Sequence, residues 1–370
     1  RTAVMVIVKG QRTRYPVPYT VWRKKGRARF TYDSSLEEVT SSSHTLNFAA
    51  EPVDPDDPTS PWLTARKGAL RAVHKLLGKS DYTAHAGVYT GGANAVYWVE
   101  IVAKRPDGLV VVRNITEGAK RKVPEVTAPI EPDLLYPLLR GRDVQRWGAE
   151  PSAHIVVPHT KDTGWQAIGE KELQAQYPLS FAYFNRFKEV LLSRVAYNLL
   201  RQGHPFYILK DISAYTFTPW KVVWLGFGAR TMKVAVVGRV DGKPVMSNQA
   251  MHPFIPLEHE DEAHYVCASM NSAPFECAVR AHTQEGGKSF AQSNILDHVY
   301  IPKYDPADPV HRALAEASKE AHEAAAQGDE PRLREIKKQV DAIAAKLWGL
   351  TDKELAEIHR SLAELEARAK

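Results

Sequence analysis

The sequence predicts a mixed α+β protein within the broad α/β class: a β-rich domain interspersed with helices and closed by an α-helical C-terminal hairpin. Two patterns carry this expectation. Turn residues interrupt apolar runs at Pro106-Asp107-Gly108 and at Asp241-Gly242, as hairpins require. From residue 331 onward the apolar positions step by three and four, as they do along one face of a helix. Elsewhere strands and helices mix without the strict βαβ alternation of a doubly wound sheet.

In chain order, VMVIV (4–8) reads as a buried strand that has no earlier element to pair with, so it is expected to be the end of something upstream. The acidic, proline-rich stretch 51–61 is expected to be a linker. Ser60 is expected to cap a helix with Pro61 at its first position, which puts Leu70, Val73, Leu76 and Leu77 on one face before Gly78. VYWVEIVAK (96–104) and LVVVRNI (109–115) form the first hairpin. Residues 179–200 space Phe181, Phe184, Val190, Leu191 and Val195 as a helix would. KVVWL (221–225) is almost wholly apolar, which suits a strand buried on both faces. Residues 232–247 alternate around Asp241-Gly242 and predict a second hairpin with a two-residue primed turn. Near the C-terminus Leu333, Ile336, Val340, Ile343 and Leu347 form one stripe that Gly349 stops. Thr351 and Glu354 then make a capping box, and Leu355, Ile358 and Leu362 continue the seam, so two antiparallel helices are expected.

A chain of 370 residues has room for roughly two or three folded units. With 44% hydrophobic and 25% charged residues it is neither disordered nor collagenous. No apolar run reaches the ~18 residues of a spanning helix, so no membrane is expected as a partner. Two cysteines, Cys267 and Cys277, give no disulfide framework and no zinc-ligand spacing, which points to a reducing, cytoplasmic setting. The net charge of +6 is unevenly spread. Residues 1–29 hold nine Lys/Arg and no acid, whereas 309–370 are balanced, with eleven Lys/Arg against twelve Asp/Glu. The first block suits a polyanionic partner; the balanced C-terminal helices suit a packing or docking role rather than a DNA-reading one.

Sequence traces of catalysis are scarce. There is no phosphate-cradling P-loop, no H-E-x-x-H and no nucleophile elbow. LGFGAR (225–230) superficially resembles a cofactor-binding glycine turn. It leads into a further β-rich run rather than a helix, so Gly226 and Gly228 are assigned to a bend. His252, His259 and His264 come nearest to a cluster but lack metal-ligand spacing, and no metal is expected. The side chains suited to nucleic acid are Arg140, Arg142 and Arg146 beside Trp147 at an expected helix start; Arg230, Lys233 and Arg239 flanking the 232–247 hairpin; and Lys288, Ser289, Gln292 and Asn294 following Gly286-Gly287. Arginine and lysine hold phosphates, and arginine, lysine, asparagine and glutamine read base edges in a major groove about 12 Å wide. The hairpin and the glycine-hinged loop are expected to read bases while 140–146 grips the backbone. Thr90, Gly91, Gly92 and Asn94 are read as a structural turn.

Seven segments in order resemble the target-recognition region of adenine-N6 DNA methyltransferases of restriction-modification systems. AGVYTGGANAVYWV (86–99) resembles the family's G-x-x-T-G-x-N-x-x-F/Y element and YPLLRGRDVQRW (136–147) its L-R-G-K-D-I-x-R-W element. YPLSFAYFNRFKEVLLSR (177–194), FYILKDISAYTFTPWKVVW (206–224), YVCASMNSAPFECAVR (265–280), IPKYDP (301–306) and KLWGLTDKELAEIHRSL (346–362) resemble later elements. The resemblance spans about 60 to 365. It implies that residues 1–59 end an upstream methyltransferase domain and a linker, that 60–308 recognise double-stranded DNA, and that 309–370 form a helical C-terminal segment. The family's glycine loop and its Asn/Asp-Pro-Pro-Tyr/Phe tetrapeptide do not occur here. The resemblance therefore implies a specificity part with no catalytic residues and no cofactor of its own, S-adenosylmethionine being held by a methyltransferase domain or subunit. Two alternatives stay open: a free-standing specificity subunit whose 309–365 helices dock a separate methyltransferase, and an independent enzyme using the 225–230 turn.

Overall fold

The computed structural model describes residues 4–194, 203–226, 231–249, 253–282, 290 and 293–367. β1 (Val17–Lys24) pairs antiparallel with β2 (Ser43–Pro52), with the short helix α1 (Leu36–Ser41) between them; β2 pairs in turn with β3 (Trp62–Ala65). The stretch expected as a linker is therefore a hairpin connection, in which Val53 N donates to Pro61 O at 2.8 Å. Ser60 caps no helix, because its Oγ accepts from Asp54 N at 3.1 Å inside that turn. Pairing with β2 buries Leu63 completely, and α2 (Lys67–His74) starts only after the strand ends. The expected helix face survives, with Leu70, Val73 and Leu76 all buried. The VMVIV expectation is corrected: Val4 to Val8 belong to no strand and are 55 to 92% exposed. An apolar run becomes a strand only where a neighbour completes its ladder, and no described strand lies beside it.

The next elements are the short helix α3 (Asn94–Tyr97) and the strands β4 (Trp98–Lys104), β5 (Val110–Asn114), β6 (Thr127–Ile130), β7 (Leu135–Leu139), β8 (Val144–Gln145), β9 (Gly148–Ala149) and β10 (Ala153–Val156). They are followed by α4 (Glu170–Gln176), α5 (Pro178–Asn185) and α6 (Lys188–Leu192), so the helical spacing from 179 onward holds as far as the described residues run. β4 and β5 form the expected hairpin, with Gly108 at φ 84° in its turn. β11 (Trp220–Trp224) is the expected doubly buried strand, central between β12 (Val234–Val237) and β14 (Phe254–Leu257). Asp241 at φ 50° and Gly242 at φ 75° make the expected primed turn, closed by a bridge between Val240 and Lys243.

Beyond that bridge the second hairpin is not formed. β13 (Met246–Ser247) leaves β12 and pairs parallel with β7, giving a six-stranded sheet in the order β13-β7-β10-β4-β5-β6. The cause is burial: Val245 and Met246 are at most 1% exposed against the sheet they join, where a free ribbon would leave them in water.

The C-terminal part consists of α7 (Glu260–Asn271), α8 (Ala273–His282), α9 (Pro309–Gln327), α10 (Glu330–Leu347) and α11 (Asp352–Ala367). The Thr351–Glu354 capping box forms as expected, with Glu354 N donating to Thr351 Oγ1 at 3.3 Å and Thr351 N to Glu354 Oε2 at 2.8 Å. The expected two-helix hairpin gains a third member, α9. Its last helix packs on α10 through His359 and Asp341 and also docks on α2: Lys75 Nζ, just past α2, donates to Gly349 O at 2.9 Å and to Glu354 at 2.8 Å, while Arg66, just before α2, pairs with Glu364. That register sets α11 antiparallel to α2. One core packs Val222, Trp224, Val234, Val236 and Ile255 against α2 and α7 to α11, and a second packs the six-stranded sheet against α3 to α6. A small cluster including Leu139, Val144, Val223, Val237 and Phe254 joins them. Among the described residues no helix is long and apolar enough to cross a membrane.

Candidate nucleic-acid interface

Arg140 and Arg142 lie on a turn after β7, not at a helix start. The turn is organised by the Asp143 carboxylate, whose Oδ2 accepts from Arg140 N at 2.6 Å, Ser152 N at 3.1 Å and Ser152 Oγ at 2.8 Å. Arg140 Nε donates to Ser152 Oγ at 3.1 Å, which leaves the guanidinium half-buried. β8 and β9 then form a tight hairpin whose two turn residues are Arg146 and Trp147. Trp147 is held at φ 66°, a left-handed conformation that costs an L-residue about 1–2 kcal/mol. Its burial to 3% exposure and a hydrogen bond from its N–H to Val234 O at 3.0 Å offset that cost and fasten the hairpin to β12.

The three arginines therefore do not share one surface. Arg146 turns inward: Nε and Nη2 donate to Met232 O at 3.1 and 2.8 Å, and Nη2 meets Glu276 Oε2 at 3.2 Å. Its role in this arrangement is to tie the hairpin to α8. Arg142 remains exposed, with its carbonyl accepting from Gln145 Nε2 at 3.0 Å; Gln145 Oε1 in turn accepts from Lys233 Nζ at 2.7 Å. Arg142, Gln145 and Lys233 thus form one cationic, amide-bearing group on a braced turn. Arg239 is exposed at the far end of β12, where Nη1 donates to Gly242 O at 3.0 Å. Asn294 is exposed at the start of a short 3-10 helix. Arg230, Lys288, Ser289 and Gln292 lie outside the described residues.

Sequence reasoning passed over a second basic element. Lys120, Arg121 and Lys122 lie between β5 and β6, with both lysines exposed and Arg121 Nη1 donating to Ser193 Oγ at 2.8 Å. A Cβ on Gly92 would meet Arg121 Nε at 3.9 Å, so the triplet stands beside the Thr90–Asn94 turn, where Gly91 and Gly92 have φ 70° and 81°. The unbroken Lys-Arg-Lys run was the available signal. In the N-terminal block Lys9, Arg12, Arg14, Lys24, Lys25, Arg27 and Arg29 are all exposed, and Trp22 on β1 is 52% exposed.

Other chemistry-bearing groups are set up for packing. Burial pushes the Cys267 and Cys277 thiols up to about 12, far from a reactive thiolate. Burial lowers His159 to about 4; its Nε2 accepts from Leu209 N at 3.1 Å, so the ring is a neutral structural link. His259 is exposed and His264 buried, and His252 lies outside the described residues; among the described residues no group of three or more His, Cys, Asp or Glu could hold a metal ion. Leu225 N donates to Lys233 O at 3.1 Å, so the described start of the 225–230 turn prolongs strand pairing; Gly228 and the rest of the turn lie outside the described residues.

No protein-family model matches the chain. The type II methyltransferase M.NspV of Nostoc sp. is 22% identical over 144 residues, which make up 39% of this chain and 28% of that protein. The solved structure of the type IIL restriction-modification enzyme MmeI in complex with DNA is 12% identical with a TM-score of 0.48, covering 88% of this chain and 40% of that one. The chain is thus distantly related to a type II methyltransferase and spans less than a third of its length.

Proposed function

We propose that the chain is the target-recognition part of an adenosylmethionine-dependent adenine-N6 DNA methyltransferase of the restriction-modification type. In this reading it grips and reads double-stranded DNA while a methyltransferase domain or subunit, which holds the cofactor, does the chemistry. Residues 60–308 recognise DNA, 309–370 brace them, and 1–59, with β1 and β2, join both to the catalytic part. The observation that carries the reading is the Arg142–Gln145–Lys233 group. It gathers Arg142 and Gln145, on a turn locked by Asp143 and Trp147, with Lys233 just before β12, giving two cations and a glutamine amide of the kinds suited to phosphates and to base edges. The distant relation to a type II methyltransferase supports it, as does the exposed Lys120–Lys122 triplet.

The test is duplex binding by the full chain across a salt series. With roughly five phosphate contacts, log affinity should fall against log salt with a slope near −4 to −5. Arg142→Ala should weaken all duplexes alike and reduce that slope by about one. A salt-independent affinity, or no binding at low salt, overturns the reading.

A further inference from the structure

The exposed side of α10 and the start of its packing on α11 enclose an open groove of about 560 Å³ lined by Arg334, Glu335, Lys337, Lys338, Asp341 and His359. Its acids are already engaged. Glu335 pairs with Arg332 at 2.8 Å, and Asp341 accepts from Ala273 N at 2.7 Å through Oδ1 and faces His359 Nε2 at 3.0 Å through Oδ2. Arg334, Lys337 and Lys338 are exposed and have no ion-pair partner among the described residues. They stand at i, i+3 and i+4, so they share one helix face at neighbour spacings of about 5–6 Å. The groove continues into a smaller cavity of about 120 Å³ that shares Lys337, Asp341 and His359 and ends at Asn271 and Glu276. Glu276 is the carboxylate that holds Arg146, whose hairpin also carries Gln145. The inner end of the groove is thus linked through Glu276 and Arg146 to the hairpin that carries Gln145, although the net charge of the whole helical segment is close to zero.

We infer that this groove is a second backbone clamp, with Arg334, Lys337 and Lys338 engaging about two successive phosphates of the same duplex. The inference rests on the DNA-binding reading above. It assigns phosphate contact, not base readout, to helices that the charge tally alone marked as packing elements. The chemistry is that of a phosphodiester monoanion held by three exposed cations on one helix face, with the groove's two carboxylates, Glu335 and Asp341, already hydrogen-bonded or paired within the fold.

The test compares the full chain with the Arg334→Ala/Lys337→Ala/Lys338→Ala variant by fluorescence anisotropy on 20-base-pair duplexes of several sequences across a salt series. The expected result is a slope smaller in magnitude by about two, at roughly 0.9 per phosphate, with equal weakening for every sequence. The charge-keeping variant Arg334→Lys/Lys337→Arg/Lys338→Arg should retain the original slope, and all three proteins should melt at the same temperature. An unchanged slope and affinity in the alanine variant, while Arg142→Ala still lowers the slope, overturns the clamp and leaves the DNA-binding reading standing. Absence of duplex binding by the unaltered chain overturns both. If millimolar inorganic phosphate raises the melting temperature of the unaltered chain but not of the alanine variant, and their DNA slopes agree, the groove takes a free anion and the clamp is likewise overturned.

Discussion

Lys221 lies on the central strand β11 at 1% exposure, its Nζ donating to Thr218 O at 3.0 Å and lying 5.8 Å from the centroid of the Phe254 ring. Burial pulls its amine down to about 7, with the Arg239 charge adding to the fall and Glu258 opposing it. An unfolded lysine titrates near 10.4, so between about 7 and 10.4 the unfolded chain binds the proton that the folded chain has released. The Lys221 contribution to stability should therefore be lowest below pH 7 and should climb as pH rises through that window. Lys221→Met should flatten the rise in melting temperature between pH 7 and 9.5; a parallel rise in both proteins would place the effect elsewhere. Asp143 is the second informative residue. Asp143→Ala removes the acceptor of Arg140 N and Ser152 N, which should cost about 1 kcal/mol in urea unfolding and, in the proposed reading, weaken DNA binding by loosening the Arg142 turn. The sequence marked Arg140, Arg142 and Arg146 as a cluster, whereas in the structure only Arg142 is left exposed. It could not show that Arg146 faces inward, because the partner that turns it, Glu276, lies 130 residues away.

Elements were legible where their signal was local. The β4–β5 turn, the doubly buried β11 and the capped helix α11 all follow from spacing and turn chemistry within a dozen residues. They failed where a distant neighbour decided the outcome. Asp241-Gly242 gave the right turn, yet the following residues join β7, over a hundred residues earlier in the chain. Val4 to Val8 carry a strand's composition without a strand's partner. The α2–α11 contact is the element most open to test. Ile358, on α11, is completely buried in the core that α2 also lines. Ile358→Ala should cost about 2–5 kcal/mol in denaturant unfolding, and Ile358→Asp should prevent folding or assembly at 37 °C. Loss of less than 1 kcal/mol in the alanine variant would mean that α11 is dispensable to the core.

At the scale of the whole molecule, surface charge is concentrated in patches that the net value of +6 conceals: the N-terminal block, the Lys120–Lys122 loop and the α10 groove. These patches suit long-range attraction of a duplex, and in the proposed reading methylation itself is done by a separate part. Labelled methyl transfer to DNA by the purified chain should be absent and should appear only when the methyltransferase part is supplied; transfer by the chain alone would make it an enzyme in its own right. The path between the sheets has a practical consequence. The chain passes from β10 in the larger sheet to β11 and β12 in the smaller one, returns for β13, and goes back for β14. The larger sheet thus contains strands from both sides of a cut made between β10 and β11. A chimera joined at residue 219 would separate β13 from β7 and leave Met246 and Ser247 facing a foreign surface. Any exchange of this surface with another protein would therefore have to take one continuous cassette, from the Thr90 turn through β14, or change the Arg142 and Lys120 loops side chain by side chain with both sheets left whole.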